Sequence, residues 1–408
     1  MPPTKTGLNL VVAGGGIAAS ELLLATRALA GHRVRATLIS PKTEFEIPAL
    51  RTVSAFAHTP SPISLHDVVA RSGATFCRGT VRRVAAAEHE VILSGGGRLP
   101  YDALVLAVGA RPMPAYGHEV ITYGREPETE DLESVLADVR GGYAHRIAFV
   151  VPPRVVWSLP LYEVALHSAR VIAASGARAE LCFITPEPAP LAVFGHEASV
   201  AIARAFEAAE IRVQTAAYAA VDRPGEIRLV PGGAVLEVDR VIALPQLHGP
   251  HIHGLPHDDQ RFIPIDDAGR VPGLDDVFAI GDATTFPIKQ GGIACQLADV
   301  VATHLARRAG ADVQPEPFRP VLRGQLVSGD DVLQLEHALQ GGFGPGHALS
   351  GSMWEPSRKV EGRYLSALLE GAPGWTPRET GVTVDVALPA PEVLARHPDA
   401  LGTAGLSA

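Results

Sequence analysis

An apolar run from Leu8 to Ala13 gives way to three glycines, and apolar residues then recur at helical spacing through Leu29. The pattern predicts a buried parallel strand, a tight turn and a helix over residues 8 to 30. Val34 to Ser40 reads as a second strand, and Ala74 to Val84, Glu90 to Leu93 and Arg98 to Leu106 as further strands. Ser94-Gly-Gly-Gly-Arg98 has the composition of a hairpin turn between two of them. Around residue 113 the chain turns rich in Pro, Gly and polar residues, and a second alternation begins. Arg146 to Val151 reads as strand, Leu159 to Ala174 as helix, Ala179 to Thr185 as strand and His196 to Ala209 as helix. Glu226 to Val230 and Val235 to Val238 flank Pro231-Gly232-Gly233 as a hairpin, and Val241 to Leu244 reads as a closing strand. From about residue 316 a third region mixes a short strand, Val321 to Leu326, with a glycine-rich loop, Gly341 to Gly346, and a Pro-rich tail. The expected fold class is α/β, with two parallel-sheet units and a small C-terminal α+β region.

The first turn carries chemistry. Gly14 permits a tight turn, Gly16 lets the backbone approach a ligand, and Ala19 is small enough for helix to lie close to strand. The spacing Gly-x-Gly-x-x-Ala is a variant of the dinucleotide fingerprint, in which a diphosphate rests on the unpaired N–H groups of the helix N-terminus.

Composition narrows the partners. Of 408 residues, 47% are hydrophobic and 19% charged, enough for large buried cores in two or three domains. The net charge of −9 argues against nucleic acid and against an anionic membrane surface. No apolar run approaches the ~18 residues of a membrane helix, so no integral membrane segment is expected. Met1 to Gly7 shows no signal-peptide core, and a cytoplasmic location is expected. Cys77, Cys182 and Cys295 include no Cys-x-x-Cys pair, and Cys77 and Cys182 sit in strand-like apolar runs.

Two more segments join the fingerprint. Tyr101-Asp-Ala-Leu-Val-Leu-Ala-Val-Gly-Ala-Arg-Pro112 is an apolar strand running into a turn. Val271-Pro-Gly-Leu-Asp-Asp-Val-Phe-Ala-Ile-Gly-Asp-Ala-Thr284 is a strand ending in Gly281-Asp282, with a helix expected from about Gly292. In this order and spacing the three segments resemble the two-dinucleotide-domain flavoproteins of the pyridine nucleotide-disulfide oxidoreductase superfamily, over residues 8 to about 310. Within it the chain is most similar to the sulfide:quinone oxidoreductase and type II NADH dehydrogenase branch. Leu159-Pro-Leu-Tyr-Glu163 and Pro190-Leu-Ala-Val-Phe-Gly-His-Glu-Ala-Ser199 carry that closer likeness.

The resemblance implies FAD. It places Gly14, Gly15, Gly16, Ile17, Ala18 and Ala19 at the dinucleotide turn, and Ser40, Pro41 and Lys42 after the second strand. Phe45 and Pro48 would belong to a covering loop, and Val81, Ala107, Val108, Gly109 and Arg111 would pass close to the dinucleotide. Gly281, Asp282, Gln290, Gly291 and Gly292 would complete the site, with Asp282 bonding the ribityl chain. Read locally, Asp282 is a helix cap, a role compatible with that one. The helix after Gly291-Gly292 would aim its N-terminus at the isoalloxazine N1/O2 edge and favour the anionic reduced ring. Lys289 is read either as a charge at that edge or as a solvated lysine. Glu163 is read either as a proton relay on the donor side or as a helix-terminal charge favoured by the dipole. The implied domains are an FAD domain of 1–112 and 263–315, an NAD(P)-like domain of 113–262 and an interface region of 316–408.

Four departures qualify this. Ser40 replaces the usual ribose-binding acid at the end of the second strand. The second unit reads Val150-Val-Pro-Pro-Arg-Val-Val-Trp157 where a glycine fingerprint would fall, and Pro152 and Pro153 lack N–H donors, so NAD(P)H is possible but doubtful. The redox cysteines of sulfide:quinone reductases are unmatched: Trp157 and Ser158 stand in one such region, and Cys295 is read as helix packing or as a lone redox thiol. Paired amphipathic membrane helices are not evident, since Glu361 to Leu369 is short.

Other features stay open. His248 to His257 holds four histidines in ten residues, which fits a metal site, a polar substrate entrance or a solvated loop. Met353-Trp-Glu-Pro-Ser-Arg-Lys-Val360 suggests an interface segment, with Trp354 near a cofactor, at a dimer contact or simply packed. The expected function is FAD-dependent two-electron transfer between a small-molecule donor and a quinone or other small acceptor, with a homodimer possible. The alternatives are an NAD(P)H-driven reductase of a protein or small molecule, and a flavin redox sensor that does not turn over.

Overall fold

The computed structural model describes residues 7–49, 62–124, 128–328, 331–337, 346–349, 360–369 and 384–387. Its first sheet has five parallel strands, in the order Val277–Ala279, Ala103–Leu106, Leu8–Ala13, Val34–Ser40 and Thr75–Arg78. Leu8–Ala13 is central, which is why it reads as a nearly unbroken apolar run. Val12 pairs with Leu38 on one side and Val105 on the other. Helix Ile17–Ala30 returns across this sheet, burying Ala18, Ala19, Leu22, Leu23 and Ala25. Helix Gly291–Arg308 packs beside it through Ala294, Leu297, Ala298 and Val301.

The second sheet repeats the logic. Its parallel strands run in the order Ile121–Thr122, Arg240–Ala243, Arg146–Val150, Glu180–Ile184 and Ile211–Gln214. Helix Leu159–Ala174 covers one face and buries Leu161, Tyr162, Val164 and Ala165. A three-stranded antiparallel sheet, Tyr218–Arg223, Glu226–Val230 and Val235–Glu237, closes a smaller core over Ala148, Val150 and Ile184.

The chain crosses between the two sheets twice. The outgoing strand Arg111–Met113 and the returning strand Gln246–His248 pair antiparallel as a two-stranded ribbon. Beyond helix Gly291–Arg308, strand Val321–Ser328 joins an antiparallel sheet with 331–337, 346–349 and 384–387. Leu322 and Leu326 of that strand are buried in the main core, and Phe318 packs edge-on against Phe286 with centroids 5.3 Å apart. Residues 341–345 of the glycine-rich loop and Trp354, named above, lie outside the described residues.

Three local expectations change. The run Ala74 to Val84 is two strands, Thr75–Arg78 and Val81–Ala85, because Gly79 breaks it; its N–H donates to the Ser40 carbonyl at 3.0 Å. The first half stays in the parallel sheet, and the second joins the meander with Glu90–Leu93 and Arg98–Pro100. Arg98 to Leu106 likewise divides at Tyr101-Asp102, where the Asp102 carboxylate accepts from the Asn9 N–H at 2.9 Å. Helices Leu65–Ser72 and Glu128–Arg140 had no place in the sequence reading. The first has local signals: Ser64 accepts from the His66 N–H at 3.2 Å, and Gly73 ends the helix at φ 69°.

Candidate functional site

Ligands of open α/β sheets bind beyond the carboxyl ends of the strands. Three strands of the first sheet end at one edge, in Gly14-Gly15-Gly16, Ala107-Val108-Gly109 and Ile280-Gly281-Asp282. All three loops line a cavity of about 1200 Å3. It continues to the carboxyl ends of the second sheet, where Pro153 to Trp157 and Leu244 to Leu247 form its far wall. Arg323, Gly324 and Gln325 of the C-terminal strand, with Val360, close another side.

The turn separates structural glycines from a ligand-facing one. A Cβ on Gly14, at φ +112°, would lie 2.1 Å from the Ala107 carbonyl oxygen. A Cβ on Gly15 would lie 2.5 Å from Leu65 Cδ1 and 2.6 Å from Ser40 Oγ. A Cβ on Gly16 would meet nothing within 4 Å. Gly16 caps helix Ile17–Ala30 without any side-chain hydrogen bond, so the first-turn N–H groups face the cavity with no side-chain cap. That is the arrangement that holds an anion. Gly281 sits where a Cβ would approach Ala18 at 3.2 Å and Ala294 at 3.5 Å, so small residues bring both helix starts to one place.

Asp282 and Lys289 share the cavity floor. Among the described residues no hydrogen bond reaches the Asp282 carboxylate. Burial raises its pKa, and the Lys289 charge opposes that shift. Lys289 is not a solvated lysine. Its Nζ donates to the Thr284 carbonyl and lies 3.8 Å from the centroid of the Phe262 ring. Burial lowers its pKa to about 8, against the pull of Asp282 and Asp258. Asp282 lies in a short 3-10 turn, Gly281–Ala283, and the cap of helix Gly291–Arg308 is Gln290 instead. Gln290 Oε1 accepts from the Ile293 N–H at 2.8 Å, and its Nε2 donates to the Arg323 carbonyl at 3.1 Å.

Of the residues named from the sequence, Gly15, Gly16, Ile17, Ala18, Pro48, Ala107, Val108, Gly109, Glu163, Gly281, Asp282, Lys289, Gln290 and Gly291 line the cavity. The others stand behind it. Gly14 and Ala19 set the close packing of the turn, and Gly292 is buried in the first turn of its helix. Ser40 is buried and accepts from the Lys42 N–H at 3.2 Å, while Pro41 and Lys42 are exposed. Phe45 and Val81 are buried core residues, and Arg111 is exposed on the ribbon. Cys295 is buried away from the lining; burial and the carboxylates of Glu21, Asp299 and Glu361 push its thiol well up, the opposite of a reactive thiolate. The four histidines lie on the ribbon and the loop after it, and no group of three potential ligands among the described residues is arranged to hold a metal.

The sequence reading missed a carboxylate. Glu187 follows the second strand of the second sheet, where an acid takes the ribose hydroxyls of a bound dinucleotide. Here its oxygens accept from Thr185 Oγ1 at 2.7 Å, Tyr162 OH at 2.8 Å and Ser158 Oγ at 3.0 Å. Burial raises its pKa while the three hydroxyls oppose that rise. Phe262, Tyr123, Tyr218 and Arg154 also join the lining unforeseen, Arg154 with a left-handed backbone at φ 67°.

No family model and no curated protein matches the chain. Solved structures do. A sulfide:quinone oxidoreductase from the hyperthermophilic bacterium Aquifex aeolicus superposes with a TM-score of 0.76 at 16% identity, over 84% of this chain and 87% of that one. A ferredoxin reductase from Rhodopseudomonas palustris gives 0.62 at 18% identity, over 86% and 89%. A NAD-dependent persulfide reductase from A. fulgidus gives 0.59 at 14%, over 82% and 64%. The chain therefore has the fold of these oxidoreductases, built on two parallel sheets. The resemblance read from its three motifs holds at the level of the fold.

Proposed function

We propose that this protein is an FAD-dependent oxidoreductase that passes two electrons between a small donor and a quinone or other small acceptor. One observation carries the reading: the fingerprint turn, the Ala107 to Gly109 loop and the Gly281-Asp282 loop open together into a cavity that reaches the second sheet. The residues fit the group. Gly16 leaves room at an uncapped helix start for the diphosphate, and Asp282 offers an unbonded carboxylate to the ribityl hydroxyls. When bound, FAD supplies two-electron chemistry at its ring.

The chain's own residues do the rest. The N-terminus of helix Gly291–Arg308 and the Lys289 ammonium favour negative charge at the cavity floor. Pro153, Val155, Val156, Trp157 and Leu159 give the far wall an apolar stretch against which a flat ring or an apolar acceptor can pack. Glu163 is 1% exposed and lines the cavity on that side, where its carboxylate is placed to take or give a proton.

A second reading, an NAD(P)H-driven reductase, rests on the second parallel sheet opening into the same cavity. Pro152 and Pro153 at its first turn, and the engagement of Glu187 by three hydroxyls, weigh against it. The test is an anaerobic visible spectrum of the purified protein before and after NADH, NADPH or sulfide. Flavin bands unmoved by both nicotinamides support the first reading, and bleaching by either supports the second. A colourless protein that fails to bind added FAD overturns both.

A further inference from the structure

The histidine loop is pinned, and it assembles a basic patch on a chain of net charge −9. Arg111 pairs with His248 across the ribbon. Further along, the Val84 N–H donates to the His253 carbonyl at 2.9 Å, and the His253 N–H donates to the Arg82 carbonyl at 3.0 Å. Two glycines make this docking possible. A Cβ at Gly254 would lie 2.1 Å from the Val84 oxygen, and one at Gly249 would lie 2.0 Å from the Arg261 oxygen. The His251 and His253 rings meet edge to face with centroids 4.8 Å apart.

The groups converge. Arg261, His253, His257 and Arg111 all act on His251 and hold its pKa below the ordinary value, with Arg261 the largest influence. Arg111, His251, His253, His257 and Arg261 are all exposed. Asp258 and Asp259 share the loop and are exposed; Asp258 Oδ1 accepts from the Gln260 N–H at 2.9 Å and the Phe262 N–H at 2.8 Å, which ties it to its own turn. That turn presents Arg261 outward at φ 69°. The patch borders the cavity, because Pro112, Leu247, Gln260 and Phe262, the chain neighbours of its residues, line the wall.

We propose that this patch is the mouth through which a small anionic redox substrate reaches the cavity, the arginines holding its charge at the rim and the imidazoles bordering it. The proposal rests on the flavoprotein reading above and names the substrate class of the same site. A small anion fits better than an acidic protein. Screening confines charge interactions to about 8–10 Å, so a small anion at the rim feels this loop and ribbon rather than the net charge of the whole chain. A large acidic partner would also meet the rest of a chain whose net charge is −9.

The test uses two artificial acceptors and, as a ligand for the oxidised protein, the reduced product of one of them. Ferricyanide is a trianion, menadione is neutral, and ferrocyanide binding is read by calorimetry without turnover. The flavin is first reduced with dithionite, and two ferricyanide ions then become ferrocyanide as each two-electron-reduced flavin is reoxidised. In the double variant Arg261→Gln, His253→Gln, the reoxidation rate with ferricyanide should fall about tenfold. The menadione rate should not change, and the heat of ferrocyanide binding should vanish. Equal losses with both acceptors, or no loss with either, overturn the proposal, as does binding of poly-glutamate without binding of ferrocyanide. A colourless protein that still binds ferrocyanide through these residues would sink the flavoprotein reading and leave the anion site standing.

Discussion

The carboxyl of Asp299, on helix Gly291–Arg308, senses the charge of Glu21 on helix Ile17–Ala30. Glu21, fully buried in helix Ile17–Ala30, accepts from the Tyr364 N–H at 2.8 Å and the Leu365 N–H at 2.6 Å. Burial, then the Glu21 charge, pushes the Asp299 pKa up from 3.8 to about 8. A carboxyl whose folded pKa is raised stabilises the fold fully below its unfolded pKa, and that stability is lost as pH rises. The loss should therefore run from about 3.8 to about 8. Thermal melts should show the melting temperature dropping as the pH is raised from about 4 to about 8, and Asp299→Asn, which keeps a donor, should flatten that drop. A melting curve of Asp299→Asn with the parent's pH dependence would contradict this assignment.

Gly14 and Gly16 should fail differently. Gly14→Ala drives a methyl to 2.1 Å from a backbone oxygen at φ +112°, so it should destabilise the fold by several kcal/mol or prevent folding. Gly16→Ala has open space and φ −102°, so the melting temperature of the cofactor-free protein should stay within about 1 °C of the parent's. Its FAD affinity, measured by fluorescence titration, should fall at least about tenfold, because the methyl occupies the approach to the helix start.

Lys289 titrates inside the cavity. It carries its charge below about pH 8 and loses it above. Flavin reduction in the parent protein should slow through that pH, and Lys289→Met should be slow at both ends while keeping its flavin absorbance. A pH profile that survives in Lys289→Met would assign the effect to another group.

Removing the Glu187 carboxylate leaves three buried hydroxyls without their acceptor. Glu187→Ala should cost about 3 kcal/mol in urea unfolding, and Glu187→Gln, which keeps one acceptor oxygen, roughly half of that. Neither should create NADPH binding, since Pro152 and Pro153 still lack N–H groups.

Much of this was legible in order along the chain. Helix Leu159–Ala174 has the bounds that its apolar periodicity gives, and Leu8–Ala13 was readable as a buried parallel strand because its last four residues are buried whichever way they point. The fingerprint turn was readable because its glycines answer to local backbone geometry. Glu187 was not: its partners Ser158 and Tyr162 lie 29 and 25 residues earlier and reach it only when helix and strand are packed. Phe262 is a similar case, an ordinary apolar residue until the Lys289 ammonium lies over its ring. Gly79 marks a third kind of limit, because a glycine in an apolar run does not say which of two sheets takes the strand that follows.

The ribbon of Arg111–Met113 and Gln246–His248 fixes how the two sheets can move. Separate linkers would let each sheet swing on its own tether, but these two crossings are stitched to each other by backbone hydrogen bonds. Any rearrangement of one crossing is thereby shared by the other, on the strand pair that also carries Arg111 and His248.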